Sequence, residues 1–524
     1  MPTTTTTINS TITTMPRTIS KSLDATRSTT VHTDTQESKP ARRVWPQGLF
    51  QSVDIASSAL FRICYGAVMM WWSFDFLRLG LVNEYFVRPG YYFSYENFFW
   101  IRPLPSVGMP ILFGVLTLLA LMIAIGLFYR VVTVTHWCGF VYVFLLDQTN
   151  YQNHYYLLIL IGALLPFMPL NRCWSIDAHL WPALRGNELP RWCLLSLRFH
   201  IALPYFFGGI AKLNFDWLSG VTLTQRLNWL ISGDSLGSWI TTNQLGTALA
   251  WSGMLFDLSI VPLLLWKKTR VVAFVLTVLF HVTNHFLFQI HIFPWFMIAA
   301  TTLFLSPDWP RRFMTNTPGK KNETVSAAMP DSLSWGKRIG LTCLALEMSL
   351  QIVLPLRCHF YQQDASWTEV GHRFAWRMML RSKIGMLQYL VTDPATHETY
   401  PLDHTQYLNA QQAGRFPRDP RMIQQFGHFI ADEYQQLTGR RPIVRAIAIM
   451  SLNGRKPQLL VDPQIDLAKT NNHFTNDNWI VPLREPLRSE PWNVPKEQWL
   501  QHVDIPLLKE LQLTQASPNS PQDT

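Results

Sequence analysis

The chain has 524 residues, 48% of them hydrophobic and 15% charged, and a formal net charge of +10. Its six cysteines (Cys64, Cys138, Cys173, Cys193, Cys343, Cys358) form no CxxC pair and none follows Cys358, which argues against a disulfide framework or a cysteine zinc site. The basic residues sit in short clusters between apolar runs, a pattern that orients helices in a bilayer, so nucleic acid is not an expected partner.

Residues 1–50 are rich in Thr and Ser with few groups to bury, and are expected to be a disordered tail. They contain no apolar h-region, so the first span is expected to direct insertion and the tail to be retained. From Ala56 onward, apolar runs repeatedly approach the roughly 20 residues that cross hydrocarbon, where the backbone must satisfy its own hydrogen bonds. About nine spans are expected, near 57–77, 108–128, 131–148, 154–170, 193–213, 245–266, 270–288, 290–306 and 339–356, making 51–358 a polytopic α-helical membrane domain. An odd count puts the termini on opposite sides. With a cytoplasmic N-terminus the inner loops hold Arg130, then Arg172, Arg185 and Arg191, then Lys267, Lys268 and Arg270, and a last cluster from Arg311 to Arg338. The outer loops hold only Arg78, Arg88, Arg102, Lys212 and Arg226, so the chain after Cys358 is expected to face lumen, periplasm or exterior.

Residues 359–490 read as a small extracytoplasmic α+β domain. MLQYLVTD is strand-like. Asp419 can cap a helix with Pro420 in its first turn, and Met422, Ile423, Phe426, Phe429 and Ile430 then fall on one face. IVRAIAIMSL and PQLLVD flank Asn453-Gly454, the dipeptide of a two-residue hairpin turn. Residues 491–524 are a C-terminal tail with amphipathic pieces and an end expected to be disordered.

Arg62, Asp75, Arg198, His200, Asp257 and Glu347 fall within or at the edges of spans; each must pair, reach the interface, or serve a polar cavity. Three polar segments share the outer membrane level. TNYQNHYYL carries Asn153 and His154, PYFFGGIAKLNFDW carries Lys212, and LFHVTNHFLFQIH carries His281, Asn284, His285 and His291. Lys212 either snorkels or, amid Phe206, Phe207 and Ile210, sits where its ammonium form is disfavoured and it can act as a base. Gly208 and Gly209 would let another helix or a flat ligand come close. His281 and His285 are spaced for two metal ligands on one helix face, but no carboxylate partner follows and no metal is expected.

FRICYG, LLDQTNYQNHYYL, NRCWSIDAHL, YFFGGIAKLNFDW, FHVTNHFLF, SPDWPRR, LPLRCHFYQQDASWTEVGHRFAWRMM and VDPQIDL, in this order and spacing, resemble the vitamin K-dependent gamma-carboxylase family over roughly residues 55–490. The resemblance implies a membrane enzyme that oxygenates reduced vitamin K, or a related hydroquinone, to its epoxide with O2. The strong base formed on the way removes a γ-proton from peptidyl glutamate, and CO2 adds to the carbanion. That proton is too weakly acidic for a side chain to take at useful rates, and a water-excluding pocket protects the reactive species. By the same resemblance Lys212 is the base toward the hydroquinone and His154 assists at the glutamate carbanion. Asn153, His281 and Asn284 are implied to bind the cofactor, and Trp367 the glutamyl substrate. The implied partners are a glutamate-containing peptide or protein, the lipid bilayer and a quinone reductase. The sequence departs from the family at Ala211, where some relatives carry a second lysine, at Leu356 and Cys358, and in ending soon after 490, where the animal enzymes continue with lumenal β-structure. Two other readings stay open: a quinol oxygenase or epoxidase without carboxylation, and a non-catalytic transporter or binding protein.

Overall fold

A computed structural model describes residues 47–230, 241–314, 334–361, 363–470, 478–488 and 490–508. Of the expected tails, residues 1–46 and those beyond 508 lie outside the described residues. The longer helices are α1 (Ala56–Arg78), α2 (Gly108–Ile125), α3 (Tyr129–Leu145), α4 (Asn153–Leu164), α5 (Arg191–Ala211), α6 (Val221–Leu230), α7 (Thr242–Leu265), α8 (Arg270–Phe288), α9 (Phe293–Thr301), α10 (Trp335–Leu356) and α11 (Pro420–Thr438). A helix stands at each of the nine expected places, but among the described residues only five are long and apolar enough to cross a membrane: α2, α5, α7, α8, and α10 with the turn that follows it. The others fall short for separate reasons. α1 carries Arg62, Asp75 and Arg78, α3 has 17 residues, and α4 and α9 give way to 3-10 turns after 12 and 9.

α1 forms the middle of the helical part. Trp72 packs 5.4 Å from Phe113, 4.9 Å from Phe140 and 5.7 Å from Tyr155, joining α1 to α2, α3 and α4 through one ring. The in-span charges mostly find partners. Arg62 is fully buried and donates to the carbonyls of Leu170 at 3.0 Å, Ala124 at 3.3 Å and Trp174 at 2.5 Å. Arg198 donates to Leu303 O at 2.8 Å and Leu305 O at 3.2 Å, and His200 meets Glu347 at 3.0 Å, tying α5 to α10. Asp75 accepts from Trp71 at 2.7 Å and Arg78 at 3.0 Å. The outer faces of α7, α8 and α10 stay apolar and exposed, as lipid-covered faces are.

The sheet of the second part runs β4 (Thr399–Leu402), β3 (Lys383–Thr392), β5 (Ile443–Leu452), β6 (Gln458–Leu459), all antiparallel, with Lys383 opposite Leu452 and Thr392 opposite Ile443. A separate two-stranded ladder, β1 (Ser52–Asp54) with β2 (Glu188–Pro190), sits at the start of the helical part. α11 begins as its sequence signals: Asp419 accepts from the N–H of Arg421 at 2.9 Å and Pro420 opens the first turn. Its apolar face covers Val444, Ala446, Ala448 and Met450, while Trp499, Ile505 and Leu507 cover Ile447 and Ile449 on the other face. β5 is therefore buried on both sides, which is why IVRAIAIMSL shows almost no polar alternation.

The Asn453-Gly454 turn forms with φ of 51° and 75° and closes through Arg455 N–H to Leu452 O at 3.1 Å. Pairing resumes only at Gln458, because Pro457 has no N–H to offer, so the expected two-residue hairpin is a turn followed by a short unpaired stretch. This turn rests on the helical part. Arg455 reaches Asp216 at 2.6 Å and 2.8 Å, and Asn453 reaches it at 2.7 Å. Gln412 to Asp147 at 2.6 Å and Phe374 N–H to Tyr151 Oη at 2.7 Å extend the interface.

Lys383, at the start of β3, is buried against the carbonyls of Trp367 and Arg418 with Glu369 3.5 Å away, and burial pushes its pKa down to about 8 from an ordinary 10.5. Between those values the unfolded chain binds more protons at this site than the folded one, so this group makes stability rise with pH. Thermal unfolding of the wild type and Lys383→Met from pH 7.5 to 10 is expected to show the wild type gaining relative to the variant; a constant difference would reject this.

Candidate functional site

α5 ends in Gly208-Gly209-Ile210-Ala211 before Lys212. A Cβ on Gly209 would lie 2.7 Å from Leu258 Cδ2 and 3.1 Å from its backbone nitrogen, so the backbones of α5 and α7 cross at a distance that only glycine allows. Gly208 faces Asp257 Oδ2 in the same crossing, and Met378 of the segment after α10. The crossing sets Lys212 against Asp257: Nζ donates to Oδ2, and the two side chains are 10% and 4% exposed. The Trp217 ring stands 5.4 Å from Nζ and donates its indole N–H to Ala250 O at 2.9 Å. Lys212 thus has a buried carboxylate partner, where the sequence around it implied apolar surroundings alone.

The pair borders a cavity of 230 Å³ enclosed by α5, α7, α8, the start of α9 and the 378–379 segment. Its polar groups include Lys212, Asp257, Tyr205, His281 and Asn284, with Ser252 and Thr283; Phe293, Leu249 and Met378 are among the apolar walls. Tyr205 Oη meets His281 Nε2 at 2.6 Å and Thr301 Oγ1 at 3.3 Å. The other imidazole nitrogen, Nδ1, is buried with no partner, and a lone buried polar atom beside a cavity calls for one. A cavity of about 150 Å³ holds a benzene ring, so this one has room for a larger flat ring. An amine, a carboxylate, a phenol, an imidazole and an amide set among apolar walls can exchange protons with, and orient, an aromatic diol away from bulk water. The residues present fit a hydroquinone.

Of the residues singled out in the sequence, Lys212, His281 and Asn284 come together at this cavity. His154 does not line it. Its ring stacks on Phe293 at 5.4 Å and 27°, and Phe293 in turn meets His281 edge-on at 6.1 Å, so His154 stands one ring back from the cavity. Asn153, at the start of α4, accepts from Tyr151 Oη at 3.0 Å and also lies off the cavity. Trp367 is fully buried in the core of the α+β part, donating to Val481 O at 2.7 Å; its segment reaches the cavity through Met378 and Met379 instead. His291 pairs with Asp75 at 2.8 Å beside a second cavity, and His285 packs on Trp295 at 5.3 Å. Among the described residues no three His, Cys, Asp or Glu side chains are grouped to hold a metal ion. Tyr205, Thr301 and the pairing of Asp257 with Lys212 escaped the sequence reading. Part of the signal was present, since a lone aspartate in an apolar span needs a counter-ion, but which cation supplies it was not.

Two family descriptions match this chain. Residues 50–309 match the HTTM domain, which takes in α1 to α9 and the cavity apart from its 378–379 edge. Residues 336–486 match the vitamin K-dependent gamma-carboxylase lumenal domain, which takes in most of α10 and the four-stranded sheet. No solved structure matches. Two successive domains, one helical around the Lys212 cavity and one lumenal closing its edge, place the chain in the vitamin K-dependent gamma-carboxylase family.

Proposed function

We propose that the chain is a gamma-glutamyl carboxylase-like enzyme that oxygenates reduced vitamin K, or a related hydroquinone, to its epoxide and couples this to CO2 addition at the γ-carbon of peptidyl glutamate. One observation carries the reading: the buried Lys212–Asp257 pair at the polar wall of an otherwise apolar cavity. When bound, the hydroquinone supplies with O2 the oxidative chemistry that no side chain has. Lys212 and Asp257 act as one acid–base unit. The pair shares one mobile proton: with that proton on Asp257, Lys212 is a neutral amine that takes one proton from a hydroxyl, leaving ammonium beside a neutral carboxyl. The Tyr205–His281–Thr301 chain and Asn284 orient the ring, and Phe293 and Met378 keep water out. His154, with Asn153, serves the glutamate side behind Phe293, and the Trp367 segment supports the peptide. In this reading nine helices span, the shorter ones by tilting little in a thinned bilayer. The N-terminus is cytoplasmic, the site and the α+β domain face outward, and a quinone reductase supplies the hydroquinone from quinone.

Protein in nanodiscs given reduced vitamin K, O2, labelled bicarbonate and a glutamate-containing peptide is expected to yield epoxide and acid-stable label together. Lys212→Ala is expected to lower epoxide formation by about 10²-fold or more in protein that is still expressed and inserted, though less stable because Asp257 is left without its partner; normal epoxidation by this variant would refute the assignment. Because removing one member of a buried pair strands the other, Asp257→Ala is expected to cost about 3–5 kcal/mol. Lys212→Met/Asp257→Leu should recover most of that stability in thermal unfolding while staying inactive; if it unfolds like the single variant, the pair is not the stabilising contact.

A quinol oxygenase without carboxylation is the second reading, favoured by the position of His154 behind Phe293. Epoxide without label from the wild type moves the assignment there. Under the leading reading His154→Ala is expected to reduce carboxylation while epoxide formation continues, and equal loss of both products would remove His154 from the glutamate half.

A further inference from the structure

The turn from α2 into α3 is held in a backbone conformation that an aromatic residue rarely adopts: Phe128 has φ of 46°. Asp177, buried in the 170–185 segment, keeps it there. One of its oxygens accepts from the N–H of Phe128 at 2.7 Å, the other from the N–H of Tyr129 at 3.0 Å and from Asn171 Nδ2 at 2.7 Å. The carboxylate is therefore engaged with donors of its own and neutralises no cation nearby. The Phe128 ring is 54% exposed and meets Trp181, 43% exposed, with centroids 5.8 Å apart.

Beside this pair runs an open groove of 640 Å³, with the start of α3 on one side and Pro169, Arg172 and Leu184 on the other. It carries two cations, Arg130 and Arg172, and neither pairs with a carboxylate among the described residues. Arg172 lies flat over Gly186, where a Cβ would come 2.9 Å from Nε and 3.0 Å from Nη2. It reaches the carbonyls of Leu184 and Glu188 only at 3.4 Å, longer than an ordinary N–H···O bond, so most of its donor capacity is unspent.

Next to the groove the surface of α3 turns apolar, with Val131 71% and Val134 45% exposed, as a lipid-covered face is. Aromatic side chains and arginines at the end of such a face mark the level of lipid headgroups. Two unmatched positive charges there call for an anion, and the apolar face beside them selects a phosphate with hydrocarbon attached. A headgroup with its own cation, as in phosphatidylcholine, would set that cation against the arginines.

We propose that this groove binds an anionic phospholipid, its phosphate between Arg130 and Arg172, its headgroup beside Phe128 and Trp181, and its acyl chains along Val131 and Val134. Arginine suits the task because its planar donors meet phosphate oxygens in pairs. The groove shares no residue with the Lys212 cavity, so the lipid is a ligand in its own right and not a substrate of the reaction there.

The test is equilibrium binding to the full chain in detergent micelles, with fluorescently labelled phosphatidylglycerol as the probe and labelled phosphatidylcholine and inorganic phosphate as comparisons. The wild type is expected to bind phosphatidylglycerol more tightly than phosphatidylcholine, and inorganic phosphate is expected not to displace it. Arg130→Gln/Arg172→Gln is expected to raise the Kd for phosphatidylglycerol by roughly tenfold or more and to leave that for phosphatidylcholine within about twofold. Lys267→Gln/Lys268→Gln removes two exposed cations of another loop and should leave both lipids unchanged. Arg130→Gln alone breaks no ion pair among the described residues; a rise of roughly threefold is expected from it, and it decides the matter where the double variant does not fold. Equal affinity of the wild type for the two lipids, equal weakening by the two double variants, or no weakening by Arg130→Gln overturns the site. Displacement of the probe by inorganic phosphate overturns the lipid as its occupant.

Discussion

A charge in an apolar medium must have a partner, and the arrangement of this molecule follows from how each one is found. Arg62 and Arg198 are met by backbone carbonyls, left free where short helices end, and His200 by Glu347 across two helices. These fix helices to one another. The Lys212–Asp257 pair obeys the same constraint and also borders a cavity.

The space exists because glycines bring backbones together on either side of it. Gly209 draws α5 onto α7, and Gly246 draws α7 onto α6; between them Ser252 and Gly253 of α7 line the cavity. The α+β part then closes the cavity with Met378 and Met379. The two matched domains therefore meet at one site, which neither encloses alone.

What the sequence revealed was local. Apolar runs located every long helix of the membrane part except α6, and Asp419 before Pro420 located the start of α11, since capping is decided within four residues. The segments with Lys212, His281 and Asn284 were recognisable because the expected topology puts them at one level. The span count was not legible, because α4 and α9 break into 3-10 turns where Pro166 and the Thr301-Thr302 pair interrupt the run. Nor was the partner of Lys212, 45 positions away on another helix. Trp367 is implied by the resemblance to meet the glutamyl substrate, and its burial depends on contacts up to 114 residues later. Periodicity carries no information about such distant contacts.

The turn at Asn453 has a mechanical meaning. β5 runs ten residues without interruption, about 33 Å of extended chain, and ends in hydrogen bonds to Asp216, four positions beyond Lys212. The place of the lysine is thus set from two sides, by the crossing of α5 with α7 and, through Asp216, by the end of a strand in the other part of the chain.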